Sequence, residues 1–211
     1  MDTQAIIAAV EAERLGLADA LDGLGAADWA AASLCEGWTV RDVAAHLTLA
    51  TRLSPVSAFL GVLKARGDIN RMIGDSARAR SGQFEPAELV AQLRETAGSP
   101  KRPLGTKPTD PLVDSLVHAQ DMLRPLGRTR EMAAERVAPA LDHVFTSAFY
   151  GAATKFAGLR LAATDHEWSH GSGPEVSGPA GELLLIATGR PAGLAALSGE
   201  GVDEVRRRVA G

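Results

Sequence analysis

The sequence predicts a mainly α protein: a bundle of about four long helices followed by a small α/β segment. Three observations predict it. Apolar residues recur at spacings of three and four through several long stretches. Helix-start combinations stand at Thr39–Asp42 and at Asp110–Pro111. From about residue 158 the pattern turns to short apolar runs cut by glycine and proline. The expected division is a bundle over 1–157 and an α/β segment over 158–211.

The first helix is expected over Thr3–Leu24. Ile6, Ile7, Val10, Leu17, Leu21 and Leu24 make its apolar stripe, Glu11, Glu13, Arg14 and Asp22 lie between, and Gly23 and Gly25 end it. A loop follows through Trp29 to Trp38. Thr39 then caps a second helix, with Asp42 three residues on completing a capping box, and Pro55 kinks or splits it before it ends near Lys64. A short helix falls within Gly67–Gly82, and another starts at Pro86 and runs to about Ala97. Asp110 and Pro111 open a helix that stops at Leu123, before Pro125 and Gly127. A further helix is expected over Arg130–Phe156. Beyond it come a strand at Leu159–Thr164, a loop at Glu167–Pro174, a strand at Glu175–Ser177, and helices at Pro179–Thr188 and Val202–Val209.

The composition, 45% hydrophobic and 23% charged over 211 residues, is that of a globular chain rather than a disordered one. A net charge of −4 and no clustered basic face argue against a nucleic-acid partner. The basic run Arg206–Arg208 suits the last turn of a helix. No run of about 18 apolar residues calls for a membrane. Cys35 is the one cysteine, so no internal disulfide can form, and Met1–Gln4 lacks the basic and apolar regions of a signal peptide. The expectation is a cytoplasmic protein, monomer or homodimer, without nucleic-acid or membrane partners.

Chemistry concentrates on the helix after Pro111. Asp114, His118 and Asp121 stand at i, i+4 and i+7, on one face, among Leu112, Val113, Leu116, Val117 and Met122. A carboxylate and an imidazole one turn apart on such a helix must be paired or ligated, because unpaired burial is costly. Two readings stay open: a divalent metal with a third ligand from a neighbouring helix, or an Asp–His hydrogen bond in the core. His46 is the natural third ligand, set among Val43, Ala44, Ala45 and Leu47; the alternative is a satisfied core histidine. Asp42 is accounted for by the capping box. His166–His170 matches H-E-x-x-H, but that zinc-protease pattern needs a helix, and Gly171, Gly173 and Pro174 follow at once. Cys35 reads as a small apolar filler, the alternative being a thiolate stabilised before a helix N-terminus, and His143 as core packing or helix surface.

The string Cys35-Glu-Gly-Trp-Thr-Val-Arg-Asp-Val-Ala-Ala-His-Leu47 resembles the entry motif of the mycothiol-dependent maleylpyruvate isomerase family, within the DinB-like superfamily. Asp114-Ser-Leu-Val-His-Ala-Gln-Asp121 with Arg124–Gly127 resembles its second motif. Leu161–Asp165, Trp168–Gly171 and Gly189–Arg190 resemble its C-terminal segment in actinobacterial members. The resemblance implies a DinB-like four-helix bundle with a small C-terminal segment. It implies a divalent metal, zinc or else nickel, on His46, Asp114 and His118, with glutamate as the family's residue at position 114. It implies mycothiol as cosubstrate, bound as a metal thiolate that attacks a small electrophile in an isomerase or S-transferase reaction. Asp121 would orient His118, and Arg190 would either bind an anionic part of thiol or substrate or cap a helix. A non-catalytic metal- or ligand-binding stress protein on the same scaffold is the alternative reading.

Overall fold

A computed structural model describes residues 1–52, 54–103 and 105–210. The chain divides into two compact units, Met1–Arg130 and Glu131–Gly211.

The first unit holds α1 (Thr3–Asp22), α2 (Ala26–Ala30), α3 (Val40–Leu49), α4 (Pro55–Lys64), α5 (Ile69–Ser81), α6 (Pro86–Glu95) and α7 (Asp110–Leu123). Asp2 caps α1 by accepting from Ala5 N at 2.8 Å, and Gly23 ends it. Helices α1 and α3 each pack on both α6 and α7, which makes the four-helix bundle; α5 covers α3 from outside. Leu17, Leu21, Val43, Ala44, Leu47, Leu89, Leu93 and Met122 fill its centre and are buried. The alanines at 44 and 45 let α3 lie close to its neighbours.

One feature agrees with the sequence reading and one departs from it, both for plain reasons. Pro55 splits the expected second helix, because a proline cannot donate to the turn before it; α3 ends at Leu49 and α4 restarts behind a Ser54 cap. Glu13 and Arg14, expected between the apolar positions of α1, are 2% and 3% exposed. Glu13 pairs with Arg130 at 2.6 Å, and Arg14 reaches the carbonyls of Thr96 and Ala97 past the end of α6. Long-range partners therefore let two charges enter the core.

The second unit holds α8 (Ala134–Thr146), α9 (Ala152–Lys155), β1 (Arg160–Ala163), β2 (Ser169–Gly171), β3 (Glu175–Gly178), α10 (Ala180–Ala187) and α11 (Val202–Ala210). The sheet order is β2-β1-β3, with β1 antiparallel to β2 and parallel to β3; Leu161 faces His170 on one side and Val176 on the other. The long helix expected over Arg130–Phe156 is broken. Ser147 turns extended after α8, and Gly151 at φ +66° begins α9. The expected loop at Glu167–Pro174 contains β2, a strand too short to carry a periodic signal. The expected boundary near 157 thus falls inside the second unit, because Val137, Leu141 and Val144 lie on a helix that packs against α10. Among the described residues no helix is long and apolar enough to cross a membrane.

Candidate metal centre

The site begins with the start of α3. Thr39 N donates to Asp42 Oδ2 at 2.9 Å, and Asp42 N donates to Thr39 Oγ1 at 3.2 Å. Ser81 Oγ, from α5, also donates to Asp42. The box fixes where α3 begins, and so where His46 stands two turns on. Burial alone would raise the Asp42 pKa, but the hydrogen bonds from Ser81 and Thr39 and the charge of Arg78 outweigh it and hold it below the usual carboxylate range. A depressed carboxylate contributes stability above its unfolded pKa, about 3.9, and loses it as pH falls through the folded value. Asp42→Asn should therefore cost most near neutral pH. Its deficit against the wild type should shrink below about pH 5, as read by urea unfolding at each pH.

Helix α7 supplies the other donors. It begins at Asp110 with Pro111 in its first turn, and the 3.6-residue turn puts Asp114, His118 and Asp121 on one face. His46, Asp114 and His118 then converge: one ligand atom from each lies within 4.8 Å of the others, and all three residues are half-buried. The rings of His46 and His118 meet edge to face, 5.0 Å between centroids, and Trp38 packs edge-on against His46 at 5.5 Å.

The ring of His118 is held from behind. Its Nδ1–H donates to Asp121 Oδ2 at 2.9 Å, and Asp121 is fully buried. With Nδ1 so engaged, Nε2 is the nitrogen left to ligate. Burial pulls the imidazolium down, but the hydrogen bonds to Asp121 and Cys35 and the charges of Asp114 and Asp121 outweigh it; the ring is pushed up to about 9. A cation entering the site displaces that proton.

Two imidazoles and one carboxylate fit a divalent ion of borderline hardness, with a coordination position left open. The family profile for the mycothiol maleylpyruvate isomerase N-terminal domain matches residues 10–132, more than half of the chain. The chain belongs to this family. The matched stretch is nearly all of the first unit and includes all three donors. The fold is also that of a solved mycothiol-dependent maleylpyruvate isomerase, with a TM-score of 0.61 at 14% identity over 95% of this chain and 93% of that one. A histidine-to-alanine mutant of such an isomerase gives a TM-score of 0.60 at 15% identity over the same shares. None of the curated proteins matches the chain.

In this mycothiol maleylpyruvate isomerase family member, the other residues singled out in the sequence have the following surroundings. Arg190 belongs to the second unit, and its Nη1 donates to Thr188 O at 2.6 Å, just past α10. His166 sits in a bend and His170 in β2, stacked on Phe145 at 4.3 Å, so the H-E-x-x-H string has no helix. His143 is buried and meets Tyr150 edge to face. Cys35, expected as filler, instead places Sγ 3.2 Å from Asp121 Oδ2 and 3.8 Å from His118 Nδ1. Nothing in helical periodicity signals this, because Cys35 lies on a loop and meets α7 only in the folded chain.

Proposed function

We propose that the protein binds one divalent cation, zinc or alternatively nickel, through His46, Asp114 and His118. We further propose that it acts with mycothiol on a small electrophile, as an isomerase or an S-transferase. One observation carries the reading: three donors from α3 and α7, within 4.8 Å of one another, in a member of the mycothiol maleylpyruvate isomerase N-terminal domain family. Its partners are the thiol and the electrophile, and its setting the cytoplasm.

When bound, a divalent cation favours the ionised form of a thiol at its open position, giving a nucleophile near neutral pH. The chain's own residues prepare that chemistry. Asp121 keeps Nδ1 of His118 protonated and the ring in one orientation. Trp38 covers one side of His46 and limits water there. Asp114 brings the one negative charge of the three donors, so a divalent cation keeps net positive charge toward an incoming thiol. A thiolate that adds to an electrophilic carbon serves both reactions: an isomerase releases the thiol again, whereas a transferase keeps the new carbon–sulfur bond. Arg190 is the residue we assign to an anionic part of thiol or substrate.

The test is thermal stability with and without mycothiol. A ligand that binds only the folded state stabilises it by RT ln(1 + [L]/Kd), about 2.7 kcal/mol at a hundredfold excess over Kd. Mycothiol should raise the Tm of zinc-loaded protein and leave the metal-free form unchanged. Cobalt-loaded protein should gain a thiolate-to-metal band when mycothiol is added. A Tm shift without transfer to, or isomerisation of, any electrophile would leave the non-catalytic binding protein. No shift in the loaded form and no band would end the mycothiol assignment.

A further inference from the structure

We propose that Cys35 is a positioning residue of this centre: its thiol, presented by the loop before α3, fixes the Asp121 carboxylate that fixes the ring of His118. The inference rests on the metal reading above, but Cys35 is not one of its ligands.

Asp121 is fully buried, and a buried carboxylate needs donors. Its Oδ2 takes two of them: His118 Nδ1–H at 2.9 Å and the Cys35 thiol at 3.2 Å. A thiol is a weak donor. Its contribution is a second contact on the oxygen that holds the imidazole, so that the loop as well as the ring bears on the carboxylate.

Cys35 has little freedom of its own. Leu34 N donates to Asp121 O at 3.0 Å, so the loop is tied by backbone to the same residue that Cys35 meets by side chain. Cys35 N donates to Ser33 Oγ at 3.1 Å, Ser33 Oγ donates to Trp38 O at 2.9 Å, and Trp38 N donates to Cys35 O at 3.1 Å. Gly37, at φ +72°, allows the left-handed turn that closes this loop. Sγ also lies 3.8 Å from His118 Nδ1, on the same edge of the ring. The hydrogen bond to Asp121 keeps His118 from turning Nδ1 toward His46 and Asp114. The loop leads directly into α3, so it also couples the helix that carries His46 to the helix that carries Asp114 and His118.

Cys35, His118 and Asp121 could themselves be counted as a donor group, since they too lie within 4.8 Å. Distance argues for positioning. Ligands around a tetrahedral ion, each about 2.0–2.3 Å from it, sit well over 3 Å apart. Asp121 Oδ2 and His118 Nδ1 are at 2.9 Å, a hydrogen-bond separation that a cation would have to pry open.

The experiment compares full-length wild type, Cys35→Ser and Cys35→Ala. Zinc and cobalt affinities are measured by chelator competition, with the Tm of each metal-free protein alongside. Serine keeps a donor to the carboxylate and alanine removes it. Cys35→Ala should weaken metal binding about tenfold or more, and Cys35→Ser should stay within about threefold of wild type. A readout independent of metal is the hydrogen-bonded Nδ1–H resonance of His118 in the metal-free protein, kept in Cys35→Ser and lost to exchange in Cys35→Ala. If Cys35→Ala binds metal as wild type does, or Cys35→Ser is as weak as Cys35→Ala, the positioning role is wrong. An intense thiolate-to-cobalt band without added thiol, absent in Cys35→Ser, would make Cys35 a ligand and equally overturn it. If wild type takes up no metal, the metal reading fails, and the resonance alone decides the role of Cys35.

Discussion

His118→Ala should leave the purified protein with little of its metal, from close to one equivalent in the wild type. The variant removes one of three protein ligands, and a two-ligand remnant on different helices pays the ordering cost without the third bond. On the reading proposed above, His118 is also the residue through which Asp121 and Cys35 act, so its loss idles both. Metal content by elemental analysis reads the result. His166→Ala is the control: His166 lies in a bend, and among the described residues it joins no group of converging metal donors, so that variant should keep the wild-type content. Full metal in His118→Ala would remove the site from this helix altogether.

Leu116→Ala should be the most damaging core substitution near the site. Leu116 is fully buried on α7, between Asp114 and His118 in sequence, on a helix that packs against α1 and α3. Truncating a buried leucine costs about 2–5 kcal/mol, through lost transfer energy and the cavity left behind. For a chain of this length that lowers Tm by about 5–15 °C. The metal-free protein should show the full loss, while bound metal should return part of it, because α7 then has two ligands tied to α3. Denaturant unfolding with and without zinc measures both. An unchanged Tm would mean that α7 does not carry the bundle's packing.

Much of the site was legible because it is written on one helix. The i, i+4, i+7 spacing of Asp114, His118 and Asp121 is fixed by the geometry of a helical turn, and the Asp110–Pro111 start and the Thr39–Asp42 box announce the two helices involved. The mainly α class and the change to a small α/β segment followed from periodicity in the same way. What stayed hidden lies off the helices or depends on distant partners. The residues of β2 are exposed and few, and only β1 makes them a strand. The charges of Glu13 and Arg14 look like a solvated face until Arg130 and the carbonyls after α6 receive them.

The sequence by itself therefore determined which helices carry His46, Asp114, His118 and Asp121, since local hydrogen bonding and the helical repeat act within a few residues. Only the tertiary structure decided that His46 faces His118 across two helices, and that α8 belongs with α10 rather than with the bundle. It alone turned Cys35 from a filler into a donor to the carboxylate behind His118. Those contacts join residues far apart in the chain. They form because burying apolar faces brings the helices together, and the polar groups carried along must then find partners where they land.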